Sequence, residues 1–200
     1  EELQKYLRMM ADLPQMPIVF DPKATDGFRL GLLSDFGIPF EGEDPALDDV
    51  VHIDTDEKGG ILAGSNVRSV LFAVYRYLKL NGCRFLFPGV DGELIPVKKI
   101  APVKYRFKPS MRYRGQVNES ATSQRAMLET IDFGPKVGQN CYMIQFFVPR
   151  DYYNQYYGHN NNPRRKPEPI TEQQVLQFRR MCEVEIAKRG FLPHLSASAL

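Results

Sequence analysis

The chain has 200 residues, 43% of them hydrophobic and 25% charged, ordinary proportions for a globular protein with a packed core. A net charge of +2 is too small to point to nucleic acid or to an anionic membrane surface. No apolar run reaches the roughly 18–20 residues that a membrane helix needs, and Cys83, Cys141 and Cys182, odd in number and each set in an apolar pattern, read as buried free thiols.

Leu3, Tyr6, Leu7, Met10 and Leu13 recur on one face of a helix that opens the chain. Pro14 and Pro17 break it, and PIVFD at 17–21 reads as a short buried strand. DGFRLGLLSDFGIPF stays open between helix and strand, because its glycines cut any helix short. VVHID and GILAG, separated by the turn chemistry of DEKG, predict a hairpin. GSNVRS at 64–69 then opens a helix with Val67, Val70, Leu71, Val74 and Leu78 on its apolar face and Arg68, Arg76 and Lys79 opposite. Ser65 or Asn66 caps its first turn, and Asn81-Gly82 closes it. CRFLF follows as a short strand and PGVDGELIP as a turn-rich exit.

A glycine-led turn entering a helix raises the question of phosphate binding. GSNVRS lacks the second glycine and the lysine of a Walker loop, and it lacks the G-x-G-x-x-G of a dinucleotide site. Its exposed N–H groups suit an anion, but Ser65 or Asn66 satisfies those donors without one. The turn therefore reads as structural, and no cofactor is expected.

The pattern changes after about residue 101, and IAPVKYRFKP reads as a linker. A strand is expected around Met111–Gly115, a helix within ATSQRAMLETIDFG, and a second strand at NCYMIQFF, 140–147. A long polar loop is expected from Pro149 to about Pro169. Thr171 and Gln174 form a capping box, and Val175, Phe178, Cys182 and Ile186 give the next helix its apolar face. Gly190 ends it, and FLPHLSASAL reads as a third strand. Strand–helix alternation argues for parallel strands joined by right-handed crossovers.

GILAGSNVRSVLFAVYRYLKLNGCRFLFPGVDGELIP resembles the small accessory domain that precedes the barrel in certain glycoside hydrolases. These are the β-N-acetylhexosaminidases, the α-glucuronidases and less-studied bacterial relatives. The likeness rests on the glycine-led turn, the amphipathic helix, and Gly82, Arg84, Phe85, Pro88, Gly89, Gly92, Glu93 and Pro96 in that order. It implies an α/β architecture. A small α+β accessory domain at 1–105 would be followed, at 106–200, by the first strand–helix units of a (β/α)8 (TIM) barrel, incomplete in this chain. It also implies hydrolysis of glycosidic bonds in an amino sugar or a uronic acid. The catalytic acids would lie beyond residue 200 and the location would be periplasmic or secreted. The competing reading is a non-catalytic carbohydrate-binding or surface interaction protein. Either way the expected partner is a glycan, and an open barrel edge would favour self-association.

Arg114-Gly115 matches the R-G that ends the first barrel strand in the hexosaminidases, where the arginine holds sugar hydroxyls. A guanidinium offers five fixed donors for that task. Arg112 is expected on the same strand face and stands as an alternative. Asn118 follows at the start of the first strand–helix loop, whereas Glu119 reads as a solvated acid. Tyr152, Tyr153, Tyr156 and Tyr157 are many aromatics for a polar loop, and tyrosine both packs on sugar C–H faces and bonds to hydroxyls. The first three of these and Tyr157 are candidates to line a cleft. His194 falls near a position where relatives have a cleft histidine. His159 and His194 with the cysteines show no ligand spacing, so no metal is expected.

Overall fold

The computed structural model describes residues 1–11, 19, 21, 23–118, 123–145 and 149–193, without the side chains of Asn118, Pro149 and Pro193. The chain divides into two units, Glu1–Arg112 with Pro135–Gly138, and Tyr113–Gly134 with Gln139–Leu200.

The first unit opens with helix α1, Glu2–Ala11, which buries Leu3, Tyr6, Leu7 and Met10 as their spacing predicts. Leu13 and most of the strand expected at 17–21 lie outside the described residues. Val19, which is described, is 71% exposed and in no strand. The open run resolves into strand β1, Phe28–Leu32, and one tight turn of helix, Leu33–Phe36, closed by Gly37. The expected hairpin is present as β2, Val51–Thr55, and β3, Gly60–Gly64, paired antiparallel with Ile53 opposite Leu62. β1 runs parallel to β3 on its other side.

Helix α2, Val67–Leu80, is capped by Asn66, whose side chain accepts from the Ser69 amide at 2.9 Å while the Ser69 hydroxyl accepts from the Asn66 amide at 2.9 Å. Such a cap contributes about 1 kcal/mol. Ser65 is used differently: its hydroxyl donates to the Asp48 carbonyl and accepts from the Val50 amide. Gly64 is required by packing, since a Cβ there would stand 2.4 Å from the Val70 amide nitrogen. The buried face of α2 keeps the expected Val74 and Leu78 but differs elsewhere. Val67 is 80% exposed, and Arg68 is buried with Phe72, Ala73, Tyr75 and Tyr77. Arg68 tolerates burial because Asp49 lies 2.6 Å from its Nη2 and 3.0 Å from its Nε, and the Ala46 carbonyl accepts a further bond.

β4, Arg84–Phe85, pairs antiparallel with β5, Glu93–Leu94, and the Tyr6 hydroxyl donates to Glu93 at 2.7 Å. Strand β6, Val103–Phe107, adds antiparallel to β2 and completes a four-stranded sheet of order β1-β3-β2-β6. The expected linker at 101–109 is thus largely a strand, held by the Val103 amide donating to Thr55 Oγ1 at 3.1 Å. The first unit runs on to Arg112.

The second unit begins with β7, Gly115–Asn118, and helix α3, Gln124–Lys136, whose last residues group with the first unit. β8, Cys141–Ile144, follows. Helix α4, Pro149–Tyr156, occupies the start of the segment expected as loop. Helix α5, Glu172–Lys188, leads to β9, Leu192–Pro193. β7 pairs parallel with β8 and β8 parallel with β9, as the alternation predicts. Gly115 permits the close approach of β7 to β8, since a Cβ there would stand 2.6 Å from the Cys141 side chain. The capping box of α5 is present: the Gln174 amide donates to Thr171 Oγ1 at 3.3 Å and the Thr171 amide to Gln174 Oε1 at 3.0 Å. Met127 and Ile131 of α3, Tyr142 of β8, and Val175, Phe178, Cys182 and Ile186 of α5 form one core.

Candidate functional site

The second unit carries a cavity of about 900 Å³. Three pieces of chain build it: Ser123 and Gln124 at the start of α3, Gln155 and Tyr156 at the end of α4, and the connection from Tyr157 to Ile170. α3 follows β7, and α4 and the connection follow β8. The cavity therefore sits where the chain leaves the carboxyl ends of parallel strands, the end at which open α/β sheets and barrels bind ligands.

The tyrosines stand at helical spacing, so α4 sorts them between core and cavity. Tyr152 is fully buried, its hydroxyl 2.8 Å from the Met127 sulfur, and burial pushes its pKa well above the ordinary phenol range. It is a core residue and does not line the cavity as expected. Tyr153 is half-buried, with its hydroxyl 3.5 Å from the Ile170 carbonyl, and is not in the lining. Tyr156 and Tyr157 do line the cavity; the Tyr156 hydroxyl donates to Gln145 Oε1.

The charged part of the lining is His159, Arg165 and Glu168. Glu168 Oε1 takes both contacts, from His159 Nε2 at 3.0 Å and Arg165 Nη2 at 2.8 Å. These two partners, His159 first, hold the Glu168 carboxyl below its ordinary 4.5. The connection is also knitted through its main chain. The Glu168 amide donates to the Tyr157 carbonyl at 2.8 Å and the Asn162 amide to the His159 carbonyl at 2.8 Å. His159 sits at φ 51, a left-handed conformation uncommon for a residue with a side chain, and its side chain is nearly enclosed. Strain of this kind persists where the surroundings fix it, and here the Glu168 contact does so.

Chemically the lining is polar with little net charge. Arg165 and Glu168 cancel, and Gln124, Gln155, Asn161 and Asn162 supply amide donors and acceptors. Pro169, Ile170 and Tyr156 give apolar surface, and Tyr157 reaches the lining from the buried core. Amides and hydroxyls with aromatic faces suit a hydroxyl-rich ligand.

The other expected site residues fall elsewhere. Arg112 precedes the strand rather than alternating within it. Its Nε lies 2.8 Å from Asp48 and its Nη2 3.1 Å from Glu43, an ion-pair cluster of the first unit that holds the Asp48 carboxyl far below its ordinary range. Arg114 is tied through its main chain to Asn140. Its amide donates to Asn140 Oδ1 at 2.8 Å, and its carbonyl accepts from the Asn140 amide at 2.7 Å. It is half-buried and is not part of the cavity lining. Asn118 ends β7 opposite Ile144. Glu119 and His194 lie outside the described residues. Among the described residues no group of three or more His, Cys, Asp or Glu side chains is placed to hold a metal ion. His159, weighed in sequence only as a metal ligand, and Glu168, the single acid in NNNPRRKPEP, are the residues that sequence reasoning missed.

No family model matches the sequence, and no curated protein matches it. Solved structures do. A family 89 glycoside hydrolase from Clostridium perfringens in complex with PUGNAc matches with a TM-score of 0.56 and 12% identity, over 98% of this chain and 24% of that one. The same family's enzyme from this organism in complex with 2-acetamido-1,2-dideoxynojirmycin matches with a TM-score of 0.54 and 14% identity, again over 98% and 24%. The chain thus spans about a quarter of the length of these structures and has a glycoside hydrolase-like fold.

Proposed function

We propose that this chain is a region of a carbohydrate-active enzyme that hydrolyses glycosidic bonds, and that its second unit supplies part of the sugar site. On this reading β7, β8 and β9 are the opening strands of a (β/α)8 barrel, the substrate is an amino sugar or a uronic acid, and the protein works in the periplasm or outside the cell. The observation that carries the proposal is the cavity at the carboxyl ends of the parallel strands, with its tyrosines, amides and charge-balanced Glu168, on a glycoside hydrolase-like fold. One of the solved structures with that fold holds 2-acetamido-1,2-dideoxynojirmycin, an acetamido compound, which supports an amino sugar.

A second reading, a non-catalytic glycan-binding region, is favoured by the lining itself. Glycoside hydrolysis generally uses two carboxyl groups, and among the described residues the lining presents one, Glu168, already engaged by His159 and Arg165. Hydrolysis would draw its acids from outside this lining. Incubating the protein with chromogenic N-acetylhexosaminides and uronides, alongside calorimetric titration with the parent sugars, separates the readings. Release of chromophore supports the enzyme, binding without release supports the second reading, and neither overturns both.

A further inference from the structure

We propose that Glu168 is the hydroxyl acceptor of the cavity: its Oε2 receives the donors of a neutral sugar, and His159 and Arg165 are the positioning residues that hold it there. The inference rests on the carbohydrate reading above and deepens it by naming the gripping group and the charge of the ligand.

The argument starts from how the carboxylate is used. His159 Nε2 and Arg165 Nη2 both reach Oε1, at 3.0 and 2.8 Å. Among the described residues Oε2 takes no hydrogen bond. Glu168 lines the cavity and its side chain is partly exposed. The carboxylate is fixed at both ends of its approach. Its own amide is bonded to the Tyr157 carbonyl at 2.8 Å, and His159 is enclosed and held at φ 51. A carboxylate oriented in this way is a strong acceptor for one or two sugar hydroxyls, because a bond to a charged acceptor is worth more than a neutral one.

The charge of the ligand follows from the same geometry. One cation and one anion face each other in the lining, and the anion carries the open oxygen. A uronate carboxylate placed against Oε2 would meet like charge, and Arg165 Nη2 is already engaged with Oε1. A neutral pyranose meets no such repulsion, and the half-buried Tyr156, which lines the same cavity, supplies a ring for its C–H face. The ligand class is therefore a neutral, hydroxyl-rich sugar rather than a uronic acid.

The test uses this chain with N-acetylglucosamine, glucose and glucuronic acid as probes, by calorimetry and by NMR of protein carrying carbon-13 at the glutamate carboxyls. Glu168→Gln retains an oxygen for His159 and replaces the other with a donor. It is expected to weaken the neutral sugars roughly tenfold to a hundredfold. Arg165→Gln is expected to weaken them as well and Arg165→Lys to restore much of the loss, which a purely structural arginine would not do. In the unmodified protein the Glu168 carboxyl resonance is expected to shift on adding sugar, a readout independent of whether any variant folds. Glucuronic acid is expected to bind more weakly than glucose. Wild-type affinity in Glu168→Gln, or an unmoved carboxyl resonance while sugar binds, overturns the assignment and leaves the carbohydrate reading standing. Equal or tighter binding of glucuronic acid overturns the neutral class. No binding of any of the three sugars overturns the inference together with the reading it rests on.

Discussion

Replacing Asp49 with alanine tests why the GSNVRS turn exists. In the folded protein Asp49 is fully enclosed and Arg68 nearly so, with Oδ1 receiving Arg68 Nη2 at 2.6 Å, Arg68 Nε at 3.0 Å and Asn66 Nδ2 at 3.1 Å. One carboxylate thus neutralises a buried guanidinium and steadies the residue that caps α2. Removing it strips the buried Arg68 of this carboxylate, a change that costs about 3–5 kcal/mol. For a unit of this size the loss corresponds to a fall in melting temperature on the order of 10–20 °C. The measurement is thermal unfolding followed by circular dichroism, with hydrogen exchange to show that α2 and the β2–β3 hairpin lose protection. The double variant Asp49→Leu, Arg68→Met is expected to recover at least half of the loss, because neither charge is then stranded. Phosphate is expected to leave the wild-type melting temperature unchanged, since the α2 donors are used internally. A melting temperature for Asp49→Ala within a degree or two of wild type, or stabilisation by millimolar phosphate, would refute the structural reading of the turn.

Three further outcomes follow from the same coordinates. Phe178→Ala, in the second unit's core, is expected to destabilise that unit by about 3–5 kcal/mol in urea unfolding, while conservative Phe178→Leu costs far less. Burial raises the Cys83 thiol to about 11 and the Cys182 thiol to about 12, so both are expected to resist a thiol reagent at neutral pH and to react on unfolding in urea. Glu168 has a folded-state constant below its ordinary 4.5, so its contribution to ordering the 157–170 connection is present at neutral pH and is lost as pH falls through the folded value. Amide protection in the connection is accordingly expected to stay flat down to about pH 5 and to decline below it, and a decline between pH 7 and 5 would contradict the assignment.

Period and capping chemistry made much of the fold legible. The apolar spacing of α1 and α5, the hairpin of β2 and β3 and the Thr171–Gln174 box appear where local patterns placed them, and β7, β8 and β9 run parallel as the alternation predicts. What escaped depends on tertiary partners. Arg68 looks like a solvated residue until Asp49, nineteen positions earlier, is brought beside it, and Val67 becomes the exposed one. Tyrosines at 152, 153, 156 and 157 already carried a helical repeat, yet the prolines, asparagines and glycine that follow make the whole stretch read as loop. Arg112 reads as a strand residue because Met111–Gly115 alternates, but its guanidinium is drawn to Asp48 and Glu43, and the strand starts only at Gly115. The candidate site was half visible. Tyr156, Tyr157 and the unusual length of the segment marked the right stretch, whereas the His159–Glu168 pairing needs a backbone reversal that no short-range pattern encodes.

The account's central claim is that the cavity beside Tyr156, Tyr157, His159 and Glu168 receives a sugar, and amide-resolved NMR titration of the protein with N-acetylglucosamine tests it most directly. The account predicts saturable shifts concentrated at residues 155–170 and at Ser123 and Gln124. Shifts concentrated in the first unit, or none at saturating sugar, would contradict it.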